Sequence, residues 1–504
     1  MKNFSYSLII LVLCVFACNN NTDTKIEKKS KPNIVLIFTD DQTYESVRAL
    51  GNDEIHTPNL DRLVNAGTSF THAYNMGGWN GAVCVASRSM MISGSYIWNA
   101  QKKDKLWPKS DSLVLAQTWP KLMEKQGYKT YMSGKWHVKA PADVIFNKAE
   151  HIRPGMPGDN RKKRGQASRK WREESGDMKD RNRYMPAGYG RPINEDDTRW
   201  LPTDSIQGGF WEGGKHWSEV VRDDAISFIK DTETHNNPYF MYLAFNAPHD
   251  PRQAPQPFLD MYPLENIAVP ESFLPEYPFK DDMGNRISLR DEALAPFPRT
   301  EYAVKKHRQE YYAIISHLDE QVGKILNALE ATSDMENTYV FFTSDHGLAV
   351  GQHGLIGKQS MFDHSIRAPF MVMGPNIPVG KKIDTDIYIQ DVMATSLELA
   401  GIEKPSYVQF HSLLDVINGE SEGHYDAIYG AYTKDQRMIR KDGFKLIVYP
   451  KIDKLLLFDM ENDPEEINNL ADNPEYVEKV KSMFKDLLEL QTSMGDEFKL
   501  KPLN

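Results

Sequence analysis

The run "NIVLIFTDDQ", residues 33–42, constrains the fold most. Ile34 to Phe38 are all apolar, with no polar alternation. A strand with that pattern must be covered on both faces, as in a parallel sheet flanked by helices. The run ends on two adjacent carboxylates, Asp40 and Asp41. "TYVFFTSDHG", residues 338–347, has the same design and ends on Asp345 and His346. Between them lie "TPNLDRLVNAG", a capped helix closing at Gly67, and "VLAQTWPKLMEKQG", a second helix that contains Pro120. Strands "YKTYMSGKWH" and "PYFMYLAFNAPHD" follow, the second preceded by a helix over "VVRDDAISFIKD". "EYAVKKHRQEYYAIISHLDEQVGKILNALEA" reads as a long amphipathic helix. The expected fold class is α/β, a large doubly wound and mostly parallel sheet flanked by helices.

Such sheets bind ligands at the carboxyl ends of their strands. Asp40, Asp41, Asp345 and His346 stand there, with His137 and His249 at other strand ends. One pair of carboxylates at a strand end is ordinarily a helix cap. Two matching tips brought together give three carboxylates and an imidazole, which repel unless a cation sits among them. Oxygen-rich ligation favours calcium or magnesium and leaves manganese or zinc open. A formal net charge of −10 argues against a general nucleic-acid partner.

The chain divides by texture. Residues 1–18 read as an export signal: Lys2, a short apolar run, and Val15-Phe16-Ala17-Cys18, which resembles a lipobox with Cys18 as the lipidated residue. Plain cleavage without lipidation is the alternative. Either way the expected location is outside the cytosol, periplasmic or anchored at the outer membrane, with the lipid the only membrane attachment. Residues 19–31 read as a polar tether. Residues 32–405 form the catalytic region, interrupted at about 140–215 by a charged insertion with little core. Residues 406–504 change to short strands and a terminal helix, a smaller α+β domain with an antiparallel sheet.

Cysteine use then becomes informative. Cys14 and Cys18 lie in or at the leader, so Cys84 in "VCVASRSMMISG" is the one thiol left in the mature chain. It cannot form an internal disulfide. A buried inert cysteine is the ordinary reading. Its place, however, is at the start of a helix near the acidic rim, where a soft thiolate suits calcium poorly. An oxygen nucleophile would fit that centre better.

These blocks carry a resemblance. "CVASR" matches Cys-x-Pro/Ala-x-Arg, and "FTDDQ", "SGKWH", "APHDP", "TSDHG" and "GQHGLIGKQSMFDHSIRAPF" follow the same family's order. The chain resembles the formylglycine-dependent sulfatases of the alkaline phosphatase superfamily, most of all exported bacterial carbohydrate sulfatases. The likeness covers about residues 31–405, with a family-like C-terminal domain after it. Ala86 stands where most members have proline, which leaves the maturation enzyme open, whether formylglycine-generating or anaerobic.

The resemblance implies that Cys84 is oxidised to formylglycine (3-oxoalanine). One hydroxyl of its hydrate attacks sulfur, and collapse to the aldehyde later expels sulfate. It implies one calcium ion held by Asp40, Asp41, Asp345, His346 and position 84. Arg88 would hold the nucleophile and balance charge, Lys135 and Lys358 would bind sulfate oxygens, His137 would help deprotonate the nucleophile, and His249 would protonate the leaving oxygen. His353 and His364 are expected to be structural. Trp79 and Asn80, just before Cys84, and the basic stretch "RKKRGQASRKWR" suit a sulfated sugar chain as substrate, from algal polysaccharide or glycosaminoglycan. A phosphonate or phosphate ester hydrolase of the same superfamily, and a non-catalytic glycan binder, are the competing readings.

Overall fold

Every residue of strand β1 (Asn33–Asp40) is buried, and its two faces enter different cores. Ile34, Leu36 and Phe38 pack into one apolar cluster, while Val35 and Ile37 pack into another on the opposite side of the sheet. The period of two along a strand sends alternate side chains to opposite layers, and both layers here are protein. The computed structural model describes residues 31–109, 112–155, 158–185, 190–198, 200–203, 211–212 and 214–503. The expected leader, Cys18 and the tether up to residue 30 lie outside these residues.

The remaining strands are β2 (Thr68–Tyr74), β3 (Gly77–Gly78), β4 (Lys129–Lys135), β5 (Lys148–Arg153), β6 (Trp211–Glu212), β7 (Lys215–His216) and β8 (Tyr239–Pro248). They continue with β9 (Thr338–Ser344), β10 (Arg367–Met373), β11 (Lys381–Tyr388), β12 (Ile428–Tyr432), β13 (Gln436–Lys441), β14 (Phe444–Tyr449) and β15 (Lys454–Asp459). The large sheet has eight strands in the order β11-β2-β10-β9-β1-β8-β4-β5. β1 is parallel to both β8 and β9, and β4 is parallel to β8 and β5. Only β10 runs against its neighbours, β2 and β9. The expected α/β sheet is present.

Three early helices matter for the site: α1 (Pro58–Ala66), α2 (Val83–Ser93) and α3 (Ile97–Leu106). Gly94, at φ 64°, closes α2 in the left-handed conformation that glycine adopts without steric cost. The long helix Glu301–Glu330 packs on the Val35/Ile37 face with Trp217–Thr232 and α1. The single helix expected around Pro120 is two pieces, Ser112–Leu115 and Trp119–Lys125. Pro120 sits in the first turn of the second piece, where its missing N–H costs nothing.

The insertion holds a helix, Gly158–Glu174, and a 3-10 segment, Met178–Tyr184. It is less detached than its composition implies. Buried Arg191 and Trp200 both reach Glu310 of the long helix, at 2.8 and 2.9 Å. A polar anchor replaces the aliphatic core that the sequence lacks there.

The second sheet has five strands, β15-β14-β13-β12-β3, antiparallel except where β3 joins β12. β3 is only Gly77–Gly78, from the loop that leads into α2. A Cβ on Gly77 would lie 2.2 Å from the Ala431 carbonyl oxygen, so glycine is what permits the pairing. Lys31–Asn504 form one compact unit. Among the described residues no helix is long and apolar enough to cross a membrane.

Candidate active site

The carboxyl ends of β1, β4, β8 and β9 meet at one rim. Asp40 and Asp41 end or follow β1, Lys135 and His137 end or follow β4, His249 follows β8, and Asp345 and His346 follow β9. α2 points its first turn at the same place and supplies Cys84, with Arg88 one turn on. Lys358 enters from the loop after β9. All ten side chains expected at the site converge, His137 from a left-handed turn at φ 56°. Asp41, at φ 68°, adopts the same conformation. Two non-glycine residues there mark a backbone held in place by its surroundings.

Cys84 is buried and free. Its Sγ lies 3.2 Å from Lys358 Nζ and 3.3 Å from His346 Nε2. Burial pushes the thiol up, but Lys135, Lys358 and His346 outweigh it and hold Cys84 well below the usual thiol range. The neighbouring His137 imidazole also draws the thiol down. The position is built to carry negative charge.

Arg88 organises the floor. Its Nε donates to Asp345 Oδ2 at 2.9 Å, Nη1 to the Lys135 carbonyl at 3.0 Å and Nη2 to the Thr39 carbonyl at 3.2 Å. Its guanidinium also lies over the Phe38 ring, 4.7 Å from the centroid. One planar cation therefore ties α2 to the ends of β1, β4 and β9. Lys135 Nζ pairs with Asp40 Oδ2, and Lys358 Nζ with Asp41 Oδ1 at 2.8 Å.

Whether the residues suit a cation can be judged from these atoms. Ligand atoms of Asp40, Cys84, Asp345 and His346 all lie within 4.8 Å of one another, and so do those of Asp41, Cys84 and His249. Asp40 Oδ1 and Asp41 Oδ2 are buried and, among the described residues, have no hydrogen-bond partner. His346 donates from Nδ1 to the Gly347 carbonyl at 2.8 Å, which turns Nε2 toward the carboxylates of Asp41 and Asp345. Burial, with Asp345 and Cys84 beside it, pushes Asp40 well above the usual carboxylate range. Asp345 is buried too, yet His346 and Arg88 bring it down to about 2. Orphaned carboxylate oxygens and a carboxyl driven toward neutrality are what a cation would relieve. The donor set fits a hard divalent ion.

His249 donates from Nδ1 to the Asp250 carbonyl at 2.7 Å, leaving Nε2 facing Asp41 Oδ2 at 3.7 Å. Burial pushes its pKa down to about 4. In this arrangement Nε2 is an acceptor, and a donor role requires it to take up a proton. His353 and His364 lie away from this centre, among Phe362 and Tyr277, with His353 ring to Phe362 ring at 4.1 Å.

Several supports were not legible in sequence. Gln359 donates to the Gly81 carbonyl at 2.8 Å and to Asp291 Oδ2 at 2.5 Å, clamping the loop before Cys84. Arg290 pairs with both Asp250 and Asp291. Asn80 Oδ1 accepts from Ala82 N at 2.8 Å, so Asn80 shapes the entry to α2. Gly155 packs flat against His137: a Cβ there would meet the imidazole Cε1 at 2.1 Å. Asp250 lies within the block "APHDP" but only His249 is singled out there, and Gly155 sits in the insertion with no local signal.

The chain matches the family described as Sulfatase over residues 32–402, and the family described as N-sulphoglucosamine sulphohydrolase, C-terminal, over residues 351–493. It is similar to an arylsulfatase of Clostridium perfringens, 30% identical, covering 91% of this chain and 94% of that protein. It is also similar to an N-acetylglucosamine-6-O-sulfatase of Bacteroides thetaiotaomicron, 26% identical, covering 97% and 91%. Among solved structures, one holding its substrate D-glucosamine-2-N,6-O-disulfate superposes with a TM-score of 0.68 at 23% identity, covering 93% of this chain and 99% of the other. A phosphonate monoester hydrolase of Agrobacterium radiobacter superposes with a TM-score of 0.66 at 19% identity, covering 92% and 96%. At those identities the two structures establish the fold alone.

Proposed function

Since the chain belongs to the sulfatase family, and so is a sulfuric ester hydrolase, we propose that it removes sulfate esters from a sulfated carbohydrate, a polysaccharide or an oligosaccharide derived from one. The observation that carries the chemistry is the placement of Cys84 Sγ between the Lys358 ammonium and His346, beside carboxylate oxygens that lack partners. The carbohydrate reading is supported by the relative named for N-acetylglucosamine-6-O-sulfate and by the leader-like start of the sequence. An exported protein, anchored through Cys18 or freely periplasmic, would meet such polymers.

Asp40, Asp41, Asp345 and His346 Nε2 would hold one divalent cation, calcium by the predominance of oxygen donors. When bound, it supplies positive charge for the sulfate oxygens and for an anionic nucleophile. Oxidation of Cys84 to formylglycine by a maturation enzyme supplies, as the hydrate, the oxygen nucleophile that this hard centre suits. The chain's own groups do the rest. Lys358 stands within contact of position 84 and presents its charge to a sulfate oxygen there. Lys135, paired with Asp40 at the end of β4, would present its charge to a sulfate oxygen from that side. His137, touching position 84, accepts a proton from the nucleophile. Arg88 keeps Asp345 and the first turn of α2 in register. His249, which a bound sulfate's negative charge makes easier to protonate, delivers a proton from Nε2 to the leaving sugar oxygen.

Two measurements test this. Mass spectrometry of the peptide spanning residue 84, from protein made in a maturation-competent host, should show formylglycine. Matured protein should then release sulfate from sulfated oligosaccharides. The superposition on a phosphonate monoester hydrolase favours a second reading, hydrolysis of phosphonate or phosphate esters. Parallel assays on nitrophenyl sulfate and nitrophenyl phosphate separate the two: a kcat/KM higher for the phosphate ester would replace the proposal. A native chain that keeps an unmodified thiol would favour a non-catalytic binder.

A further inference from the structure

A separate cleft of about 710 Å³ is built from four parts of the chain. α3 supplies Trp98, Lys102 and Lys105, which share one helix face by their spacing of four and three residues. The turn between β12 and β13 supplies Lys434, and the segment after the last helix, Val477–Ser493, supplies Lys499. Trp79 lines it from the loop that runs into α2.

The charge of the cleft opposes that of the protein. The whole chain carries −10, yet this cleft is lined by five cationic side chains and two acidic ones. One acid, Asp496, is already engaged by Arg437 at 2.6 Å, and Arg437 also lies over the Trp98 ring at 5.4 Å. That leaves Lys102, Lys105, Lys434 and Lys499, all exposed, against Glu497. None of the four lysines pairs with a carboxylate among the described residues. Like charges gathered around a concave surface repel one another, and their field is focused into it. Partly buried indoles beside them offer flat apolar faces.

The cleft connects with the catalytic centre through one short loop. Trp79 is five residues before Cys84. On one side of this loop Gly78 accepts from Thr433 N at 2.9 Å, at the cleft. On the other, Gly81 accepts from Gln359, next to Lys358. The same loop thus carries Trp79 into the cleft and Cys84 into the catalytic centre.

We propose that the cleft binds a further sulfated unit of the substrate chain, the lysines pairing with its sulfates and Trp79 and Trp98 covering its sugar faces. This rests on the carbohydrate reading above and adds that the substrate is sulfated at more than one position along its length. The enzyme is thereby favoured on polysulfated oligomers over monosulfated sugars.

The test uses the full chain. Binding of a heparin hexasaccharide, a generic polysulfated probe, is measured by calorimetry on protein with unmodified Cys84, so that nothing is turned over. K102E/K105E should bind about tenfold more weakly, and added salt should narrow the difference. K324E, an exposed lysine on the helix Glu301–Glu330, should bind like wild type. K434E/K499E repeats the test from the opposite wall, in case the first variant folds poorly. Equal affinity in wild type and both cleft variants overturns the proposal. With matured enzyme, KM for sulfated oligosaccharides should rise in the cleft variants while kcat holds. Release of sulfate with unchanged KM overturns the cleft alone. Turnover of nitrophenyl sulfate with no release from any sulfated oligosaccharide overturns the carbohydrate reading, and the cleft with it.

Discussion

Lys358 Nζ lies 3.2 Å from Cys84 Sγ and 2.8 Å from Asp41 Oδ1, so a single ammonium joins the nucleophile's position to the acidic rim. Burial opposes its charge, but Asp41 and Cys84 hold Lys358 protonated well above the usual lysine range. Lys358→Met keeps the stem and removes the charge. Loss of one preorganised charge from a dry site costs about 100- to 1000-fold in kcat. The variant, matured to formylglycine as verified by mass spectrometry, should show that loss on nitrophenyl sulfate. A kcat within a few-fold of wild type would remove Lys358 from the catalytic set.

Arg88 makes three directional contacts that a lysine cannot reproduce: the Asp345 carboxylate and the carbonyls of Lys135 and Thr39. Arg88→Lys keeps the charge and loses the fork. The Lys135 carbonyl then loses this donor, at about 1–3 kcal/mol, while the Thr39 carbonyl keeps the Asp345 N–H at 3.2 Å. The variant should melt lower than wild type and should lose activity even where maturation of position 84 is complete. Unchanged melting would mean that the three contacts contribute little in solution.

What the sequence displays at this rim follows from the physics of strand ends. Asp40, Asp41, Asp345 and His346 are readable because an unbroken apolar strand must be central, and its polar tip must then lie at the sheet's edge. Lys358 has no such frame: it enters from a loop, and only the likeness to a family marked it. β2, β5 and β11 left little trace, because these strands mix polar and apolar residues and carry no continuous run. β3 is two glycines, too short for any periodicity, and its pairing with β12 depends on residues some 350 positions away. The order β11-β2-β10 likewise depends on long-range pairing that no local pattern encodes.

Gly155 and His137 give a steric prediction. A Cβ at position 155 would sit 2.1 Å from the imidazole Cε1, and the backbone of Gly155 is not in the left-handed region, so alanine strains nothing else. Gly155→Ala must displace the ring by an ångström or more. A displacement of that size in a reacting group costs about 100-fold in rate. Activity on nitrophenyl sulfate should fall by about that factor, with thermal unfolding close to wild type. Gly155→Ala at full activity would show that His137 does not act from this position.

Removal of metal should act on stability and on rate together. Asp40 Oδ1 and Asp41 Oδ2 lack partners among the described residues, and the like charges around them repel. A cation that binds only the folded chain stabilises it by about 2.7 kcal/mol at a hundred times its dissociation constant. Chelation should therefore lower the melting temperature as well as the activity, and calcium should restore both. Asp40→Asn should blunt the melting response to calcium. If chelation changed neither melting nor turnover, the ligand assignment would be wrong.

Acid lability should come in part from His353. This buried imidazole is stacked among Phe362 and Tyr277, and burial pushes its pKa from 6.5 down to about 4. In the unfolded chain the same group titrates near its ordinary value. Above that value the histidine is neutral in both states and contributes no pH dependence. As pH falls from about 6.5 toward 4, the unfolded chain takes up a proton that the folded chain refuses, and stability is lost across that window. The full difference corresponds to about 3 kcal/mol. His353 sits at φ 54°, which asparagine tolerates better than most residues, so His353→Asn removes the titration with little backbone strain. The variant will be less stable at pH 7, through lost aromatic packing. Between pH 7 and pH 4, however, its urea midpoint should fall less than that of wild type, because the carboxylates titrate alike in both proteins and cancel in the comparison. His364, His307 and His216, also pushed down by burial, should leave a residual slope in the variant. Parallel pH curves for the two proteins would show that the His353 ring is solvated in solution.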